Sequence, residues 1–454
     1  MPLRLAKRSN NGFCNRISIG GIGLAKIENT ILLFKEMFSK QPITMSNEGV
    51  PRKPIRKLIR FFKTVEDARI QGKVSYPLHE ILMITFLAVM AGAATITDIA
   101  MFGVAKEKWL KKYFGIEHGI PSHDTFRRVL SIIHPEQLQM ATVAFLLDNI
   151  KLMKRAFNIK EGTKQYCVDG KTARGTGRLK GCEHEIKQMH TLHVYDRSDG
   201  ICLVSQEVGD KTNEIPVAQS ILKLLDLKGS IVSFDALNTQ RETITVIVGQ
   251  KGDYVAALKG NQPDLYNEVL SFFTPSRLER IKAAGTNYIE IKEKQHSRIE
   301  VRQYYMSKNV SWLVQLQDWP GLKSIMYYSL HTEDVNTGKI TDEKYCYISS
   351  ITDAELCADA VRGHWSIENQ LHWHLDVNFL EDSTEIIDRA AFQNFSLLNK
   401  MALSLFKLIA PIQKCSVRST KKCVGWDVDI LIRTFRMLDE DMLADAVLNV
   451  KTKP

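Results

Sequence analysis

The chain has 454 residues, 44% hydrophobic and 25% charged, a balance that fits globular domains with sizeable cores and excludes a disordered or fibrous chain. Lys and Arg outnumber Asp and Glu by 61 to 51, which leans toward a polyanionic partner, nucleic acid or an anionic membrane. The eight cysteines are scattered with no C-x-x-C pair, which argues against a disulfide framework or a Cys-rich zinc module and for a reduced, cytoplasmic protein.

Residues 1–45 are basic and lack the pattern of a signal peptide, so a poorly ordered extension is expected there, with Met45 a candidate start of a shorter product. Residues 46–160 have helical periodicity. RKPIRKLIRFFK (52–63) places cations on most turns of an amphipathic segment, either a solvated face or a phosphate-contacting arm. The most apolar run, ILMITFLAVMAGAATI (81–96), is short for a membrane span and is flanked by Glu80 and Asp98, so a buried helix and no membrane are expected. In IPSHDTFRRVL (120–130), Ser122 or Asp124 can cap a helix beginning near Thr125, with Arg127 and Arg128 in its first turns. A helical DNA-binding domain is the expectation for 46–160.

From about 161 the pattern changes to strands. KQYCVDG (164–170) is a β-type run ending in Asp169 and Gly170, and QMHTLHVYDRSDGICLVSQEVG (188–209) reads as a hairpin turning at Arg-Ser-Asp-Gly. A helix over 213–227 with Asn213 as cap, a strand GSIVSFDA (229–236) ending in Asp235, a helix over 239–250 and a strand over 252–262 follow. The order β-β-β-α-β-α-β predicts a mixed α/β layer. Residues 263–351 interrupt it with a helical piece and then strands, a β-rich insertion. The segment RGHWSIENQLHWHLD (362–376) belongs to a late helix that returns to the sheet, so 161–262 and 352–383 form one expected core; 384–454 reads as a helical C-terminal region.

Two aspartates at the ends of apolar strands can lie side by side over the sheet edge where ligands of α/β folds bind. Close carboxylates repel one another unless a cation neutralises them, and Mg²⁺ or Mn²⁺ is the oxygen-preferring choice. Glu368 is the candidate third carboxylate. In a continuous helix over 355–377 it shares a stripe with Val361, His364, Leu371 and Leu375, facing the sheet. Three such groups make a site for in-line phosphoryl transfer.

The strings VDGKTARG (168–175), TNEIPVAQSIL (212–222), IVSFDALNTQ (231–240), GDYVAALKGNQ (252–262) and HWSIENQLHWHLDVNFLED (364–382) are similar to those of bacterial insertion-sequence DDE transposases of the H-repeat-associated group. The helical strings LAVMAGAATITDI and PSHDTFRRVL match the region preceding the catalytic core in that group, and the resemblance spans about residues 50–440. It implies an RNase H-like core with a strand-rich insertion before the last catalytic helix, flanked by helical N- and C-terminal regions. It also implies Asp169, Asp235 and Glu368 as a Mg²⁺-binding triad, Mn²⁺ able to substitute, that cuts element ends and joins them to target DNA. The partners implied are double-stranded DNA, both terminal repeats and target, and a second copy of the chain on that DNA, in the bacterial cytoplasm at the nucleoid. The wider family's Tyr, Arg, Glu, Lys signature is absent: Val361, His364 and Leu375 fill its slots around Glu368.

Candidate DNA contacts are Lys171, Arg174 and Lys259 for phosphates, Asn238 beside Asp235, and His364 and Asn369 beside Glu368. His364 is expected to hydrogen-bond the glutamate or a phosphate, whereas a zinc site of His364, His372 and His374 is disfavoured because His374 points away on a helix. Trp365 and Trp373 are expected in the core. The alternatives are an RNase H-like nuclease without joining activity and a non-catalytic DNA-binding remnant.

Overall fold

The computed structural model describes residues 53–156, 159, 162–177, 187–209, 212–295, 297–413, 415–436 and 438; the expected N-terminal extension and the end of the C-terminal region lie outside them. Six helices come first: α1 (Lys53–Phe62), α2 (Leu78–Ala91), α3 (Ile96–Ala105), α4 (Glu107–Phe114), α5 (His123–Ile132) and α6 (Pro135–Ala156). The apolar run at 81–96 is two helices. Gly92 ends α2 with φ +116, a left-handed value that costs glycine little, and Thr95 and Asp98 form a capping box that starts α3. After its first turn α2 is almost wholly apolar, and residues 80–90 are buried on every face. Among the described residues no single helix is long and apolar enough to cross a membrane, and α2 and α3 meet at 97°. Ser122 caps α5, which begins at His123.

The sheet begins with β1 (Gln165–Ala173), β2 (Met189–Asp196) and β3 (Ile201–Glu207), an antiparallel meander whose second turn uses Gly200 at φ +69. α7 (Glu214–Leu222) leads to β4 (Ile231–Phe234), and α8 (Arg241–Gly249) to β5 (Asp253–Leu258). β4 pairs parallel to β1, and β5 parallel to β4, so the core order is 3-2-1-4-5, the arrangement of an RNase H-like sheet. β1 differs from expectation: it runs four residues past Asp169, because its outer edge keeps pairing with β2 after β4 has ended.

After α9 (Pro263–Phe272) and α10 (Pro275–Ala284), the insertion supplies β6 (Tyr288–Gln295), β7 (Arg298–Ser307), β8 (Ser324–Asp334) and β9 (Ile340–Ser349). β9 pairs antiparallel with β5, so the insertion extends the core sheet to nine strands in the order 3-2-1-4-5-9-8-7-6. α11 (Ala354–His364) then packs on β1, β4, β5 and β6. It is clamped on both flanks, by a bidentate Arg197–Asp359 pair at 2.6 and 2.9 Å and by Arg362 on Glu293 at 2.6 Å. Between them Gln165 donates to the Ala360 carbonyl at 2.7 Å, and Gly363 allows the close approach: a Cβ there would meet Arg197 Nη1 and Gln165 Oε1 at 2.3 Å.

α12 (Trp373–Val377) and a short turn at Glu381–Ser383 precede the long α13 (Arg389–Gln413), followed by α14 (Val417–Trp426) and α15 (Asp429–Arg436). α13 packs against α2, α5 and α6, so the two helical regions, distant in sequence, share one core. Buried Asn394 of α13 donates to the Leu130 and Ile133 carbonyls at 2.8 and 2.9 Å, satisfying the end of α5.

Candidate active site

The parallel register sets the first two carboxylates. Val168 of β1 lies opposite Phe234 of β4, so the next residue on each strand, Asp169 and Asp235, falls side by side just where β4 ends. Burial pushes Asp169 from 3.8 up to about 8, and the charges of Asp235, Glu368 and Glu214 push the same way. Asp235 is also raised, first by burial and then by Glu214, against hydrogen bonds from Asn238. The Asn238 backbone N–H and side-chain amide both donate to Asp235 Oδ1 at 3.3 Å.

Glu368 arrives differently from the expected continuous stripe. After α11 the chain makes a π-turn, Ile367–His372, in which the Trp373 N–H reaches the Glu368 carbonyl five residues back. The wider turn shifts the helical phase, so Ile367, Leu371 and Leu375 are buried while Glu368 stands exposed at the rim, above the aspartates. Although its side chain reaches solvent, partial desolvation by the surrounding protein, followed by the charge of Asp235, raises its pKa, against Lys259. His364 does not reach Glu368. Its Nδ1 pairs with Ser233 Oγ of β4 at 3.2 Å, and burial lowers its pKa to about 4, because the break after α11 leaves it under the helix.

The π-turn places His372 against β1 instead. His372 Nδ1 lies 3.6 Å from Asp169 Oδ2, and its Nε2 is 3.0 Å from Nδ1 of buried His193 on β2. Burial, followed by the Lys171 and Lys400 charges, lowers the His372 pKa to about 3, so it faces Asp169 as a neutral ring. His374 pairs with Asn378 at 2.6 Å.

A fourth carboxylate, not anticipated as a site residue, is Glu214 at the first turn of α7. It pairs with His190 Nε2 at 2.6 Å and accepts from the Asn238 amide at 3.0 Å. Burial pushes its carboxyl up, but these two hydrogen bonds outweigh burial and hold it below its usual range. Gly170 makes room, since a Cβ there would meet Glu214 Oε1 at 2.2 Å and His190 Nε2 at 2.7 Å. In sequence Glu214 resembles any acid in the first turn of a helix; the usable signal was that this helix starts at the end of the sheet bearing the aspartates.

Several expected DNA contacts are otherwise engaged. Lys171 is buried, with Nζ 2.5 Å from Asp376 Oδ1 and 3.4 Å from Asp382 Oδ1, so it closes β1 onto α12 rather than meeting solvent. Asn238 is fully buried between Asp235 and Glu214, out of reach of a duplex. Arg174 is 72% exposed, with its guanidinium 3.7 Å from Asp382. Lys259 and Asn369 are exposed, Lys259 facing Asp235 and Glu368. Trp365 and Trp373, expected in the core, are 36% and 46% exposed on either side of Glu368; Trp373 follows the π-turn and is rotated by it.

Among the described residues no three His, Cys, Asp or Glu side chains come together tightly enough to enclose an ion. The donor chemistry nonetheless fits a hard divalent cation: three carboxylates, no sulfur, and raised pKa values that a positive charge would relieve. Asp169 and Asp235 would be the paired donors to such a cation, with Glu368 near them at the rim.

The chain is similar to known proteins over most of its length. Residues 160–405 match the family model described as Transposase DDE domain, and residues 59–146 match the DDE_Tnp_1-associated model. YncI of Escherichia coli, a transposase by name, is 32% identical over 375 residues, covering 81% of this chain and 92% of its own. YhhI of Escherichia coli, an H repeat-associated transposase by name, is 30% identical over 359 residues, covering 77% and 90%. A solved piggyBac transposase synaptic complex with hairpin DNA is more distant, at a TM-score of 0.35 and 10% identity over 90% of this chain and 83% of that one.

Proposed function

The chain belongs to the DDE transposases, in the H-repeat group of bacterial insertion sequences, and from that premise we propose that Asp169, Asp235 and Glu368 carry its cutting and joining of DNA ends. The observation that carries this reading is the juxtaposition of Asp169 and Asp235 at the ends of adjacent parallel strands, where burial disfavours the ionisation of both and the Asp235 charge disfavours that of Asp169 further. Carboxylates held in that state bind a dication in preference to remaining bare. When bound, Mg²⁺, or Mn²⁺ in its place, supplies charge stabilisation on the oxygens of the reacting phosphate. The protein's share is positional. β1 and β4 hold the two aspartates in register, Asn238 fixes the orientation of Asp235, and the π-turn brings Glu368 over them.

Lys259, Arg174 and Asn369 present exposed polar groups around this opening for DNA phosphates and bases. Exposed Arg127 and Arg128 on α5, in the helical region before the core, supply further cations for terminal-repeat DNA. Two copies of the chain on one pair of ends, in the cytoplasm at the nucleoid, would allow both ends to be cut and joined together.

Incubation of the protein with element-end DNA, a target plasmid and Mg²⁺ tests the reading. Joined products are expected. Cleavage without joining would make it a nuclease, and DNA binding without cleavage a non-catalytic remnant. Glu368→Gln should abolish both reactions and retain DNA binding; strand transfer surviving in that variant would sink the assignment of the triad.

A further inference from the structure

A hydrogen-bond chain ends on Asp235 and passes through Thr172, His190 and Glu214, which have no role in the reading above. Thr172 Oγ1, on β1 three residues after Asp169, lies 2.8 Å from His190 Nδ1 on β2. His190 Nε2 lies 2.6 Å from Glu214 Oε1 on α7, and Glu214 Oε2 accepts from Asn238 Nδ2 at 3.0 Å. Asn238 Nδ2 also donates to Asp235 Oδ1 at 3.3 Å. The amide therefore bridges two carboxylates. Its orientation is forced, because turning it over would set its own oxygen against both. Asn238 is fully buried, and its Oδ1 has no partner, so nothing but the two acceptors on its nitrogen side holds that orientation.

From this geometry we propose that Glu214 is a positioning residue for Asp235, acting through Asn238. Tied to the sheet by His190, it holds the Asn238 amide with its N–H groups toward Asp235, and so engages Oδ1 and leaves Oδ2 for the ligand. The inference rests on the reading of Asp235 as a metal-binding carboxylate. Groups that orient a ligand in this way influence metal affinity about 10- to 100-fold. The role needs the shape and acceptor capacity of Glu214 rather than its charge. A glutamine can accept from Asn238 with its oxygen and donate to His190 with its nitrogen, if the imidazole carries its proton on Nδ1 and donates to Thr172.

The test is Mn²⁺ titration of the full chain without DNA, followed by the electron paramagnetic resonance signal of the free ion, with thermal melting to confirm folding. Glu214→Ala is expected to weaken Mn²⁺ binding about 10-fold, and Glu214→Gln to restore most of that loss. In single-turnover assays Glu214→Ala should slow cleavage at saturating DNA while leaving DNA affinity unchanged. In an Asn238→Ala background, Glu214→Ala should cost nothing further, since its effect runs through the amide. Equal losses in Glu214→Ala and Glu214→Gln would overturn the proposal in favour of a role for the charge, as would full additivity with Asn238→Ala. Unchanged affinity in Glu214→Ala would overturn it outright. If Asn238→Ala does not fold, the comparison of the two Glu214 variants decides alone. Asp235→Ala separates this inference from its premise: loss of Mn²⁺ binding there with none in Glu214→Ala removes only the positioning role, whereas unchanged binding in Asp235→Ala removes the site itself.

Discussion

Replacing Asp169 by Asn probes the electrostatics of the site through stability, with no DNA required. Burial, with the charges of Asp235, Glu368 and Glu214, raises the Asp169 pKa from 3.8 to about 8 in the metal-free protein. A carboxyl whose pKa is higher folded than unfolded holds its proton more tightly when folded. Its stability contribution is fully present below pH 3.8 and is lost progressively as the pH rises to about 8. The shift corresponds to roughly 6 kcal/mol for a rigid site. Its side chain is 20% exposed, and relaxation of the carboxylates away from one another brings the expected loss to about 3 kcal/mol. Asn carries no charge at any pH and escapes this loss. In urea unfolding with chelator present, Asp169→Asn should therefore be more stable than the parent by about 3 kcal/mol near pH 8 to 9. The difference should shrink toward zero near pH 4. Adding Mg²⁺ at pH 8 should stabilise the parent and close most of the gap. A variant no more stable than the parent at pH 8, or a difference that does not change with pH, would refute the account of the site as a cluster of mutually repelling carboxylates.

Gly170→Ala should cost about 1–3 kcal/mol in denaturant unfolding, because its Cβ would press on Glu214 and His190, and it should lower Mn²⁺ affinity. A fully stable Gly170→Ala protein would mean that those side chains are free to move aside. Lys171→Met should destabilise by about 1–3 kcal/mol by leaving the partly buried Asp376 and Asp382 without their buried cation, and should leave the salt dependence of DNA binding unchanged. A reduced salt slope would show instead that Lys171 reaches phosphate. Thr95→Ala removes the capping box of α3 and should lower stability by about 1 kcal/mol without changing DNA cleavage. Unaltered unfolding would mean that α3 is held by its packing alone.

The parts of the molecule legible in the sequence are those governed by short-range patterns. The meander turn at Arg197–Gly200, the Ser122 cap, the α/β alternation from 213 to 262 and the helical reading of 239–250 each depend on residues within a few positions of one another. Asp235 at the end of its apolar strand was readable in the same way. Asp169 was identified, but its strand was read as ending there, since only the partner strands reveal that β2 carries β1 onward. The insertion was recognised as strand-rich, yet its union with the core depends on the pairing of β9 with β5, between residues about 90 apart.

Legible without any fold were the residue types available: two strand aspartates, a glutamate in a late helical segment, and a surplus of cations. Local periodicity and capping are decided within a turn or a strand, so they survive without knowledge of neighbours. What each group touches depends on the packing of distant segments. Lys171 is spent on Asp376 across 205 residues, Asn238 on Glu214 and Asp235, and His364 on Ser233, while Lys259 is left facing the opening. The π-turn turned Glu368 out to the rim and His372 in toward Asp169, because one widened turn rotates every side chain after it. A charge is a contact for DNA only when no buried partner of opposite sign has claimed it, and that condition is set by folding.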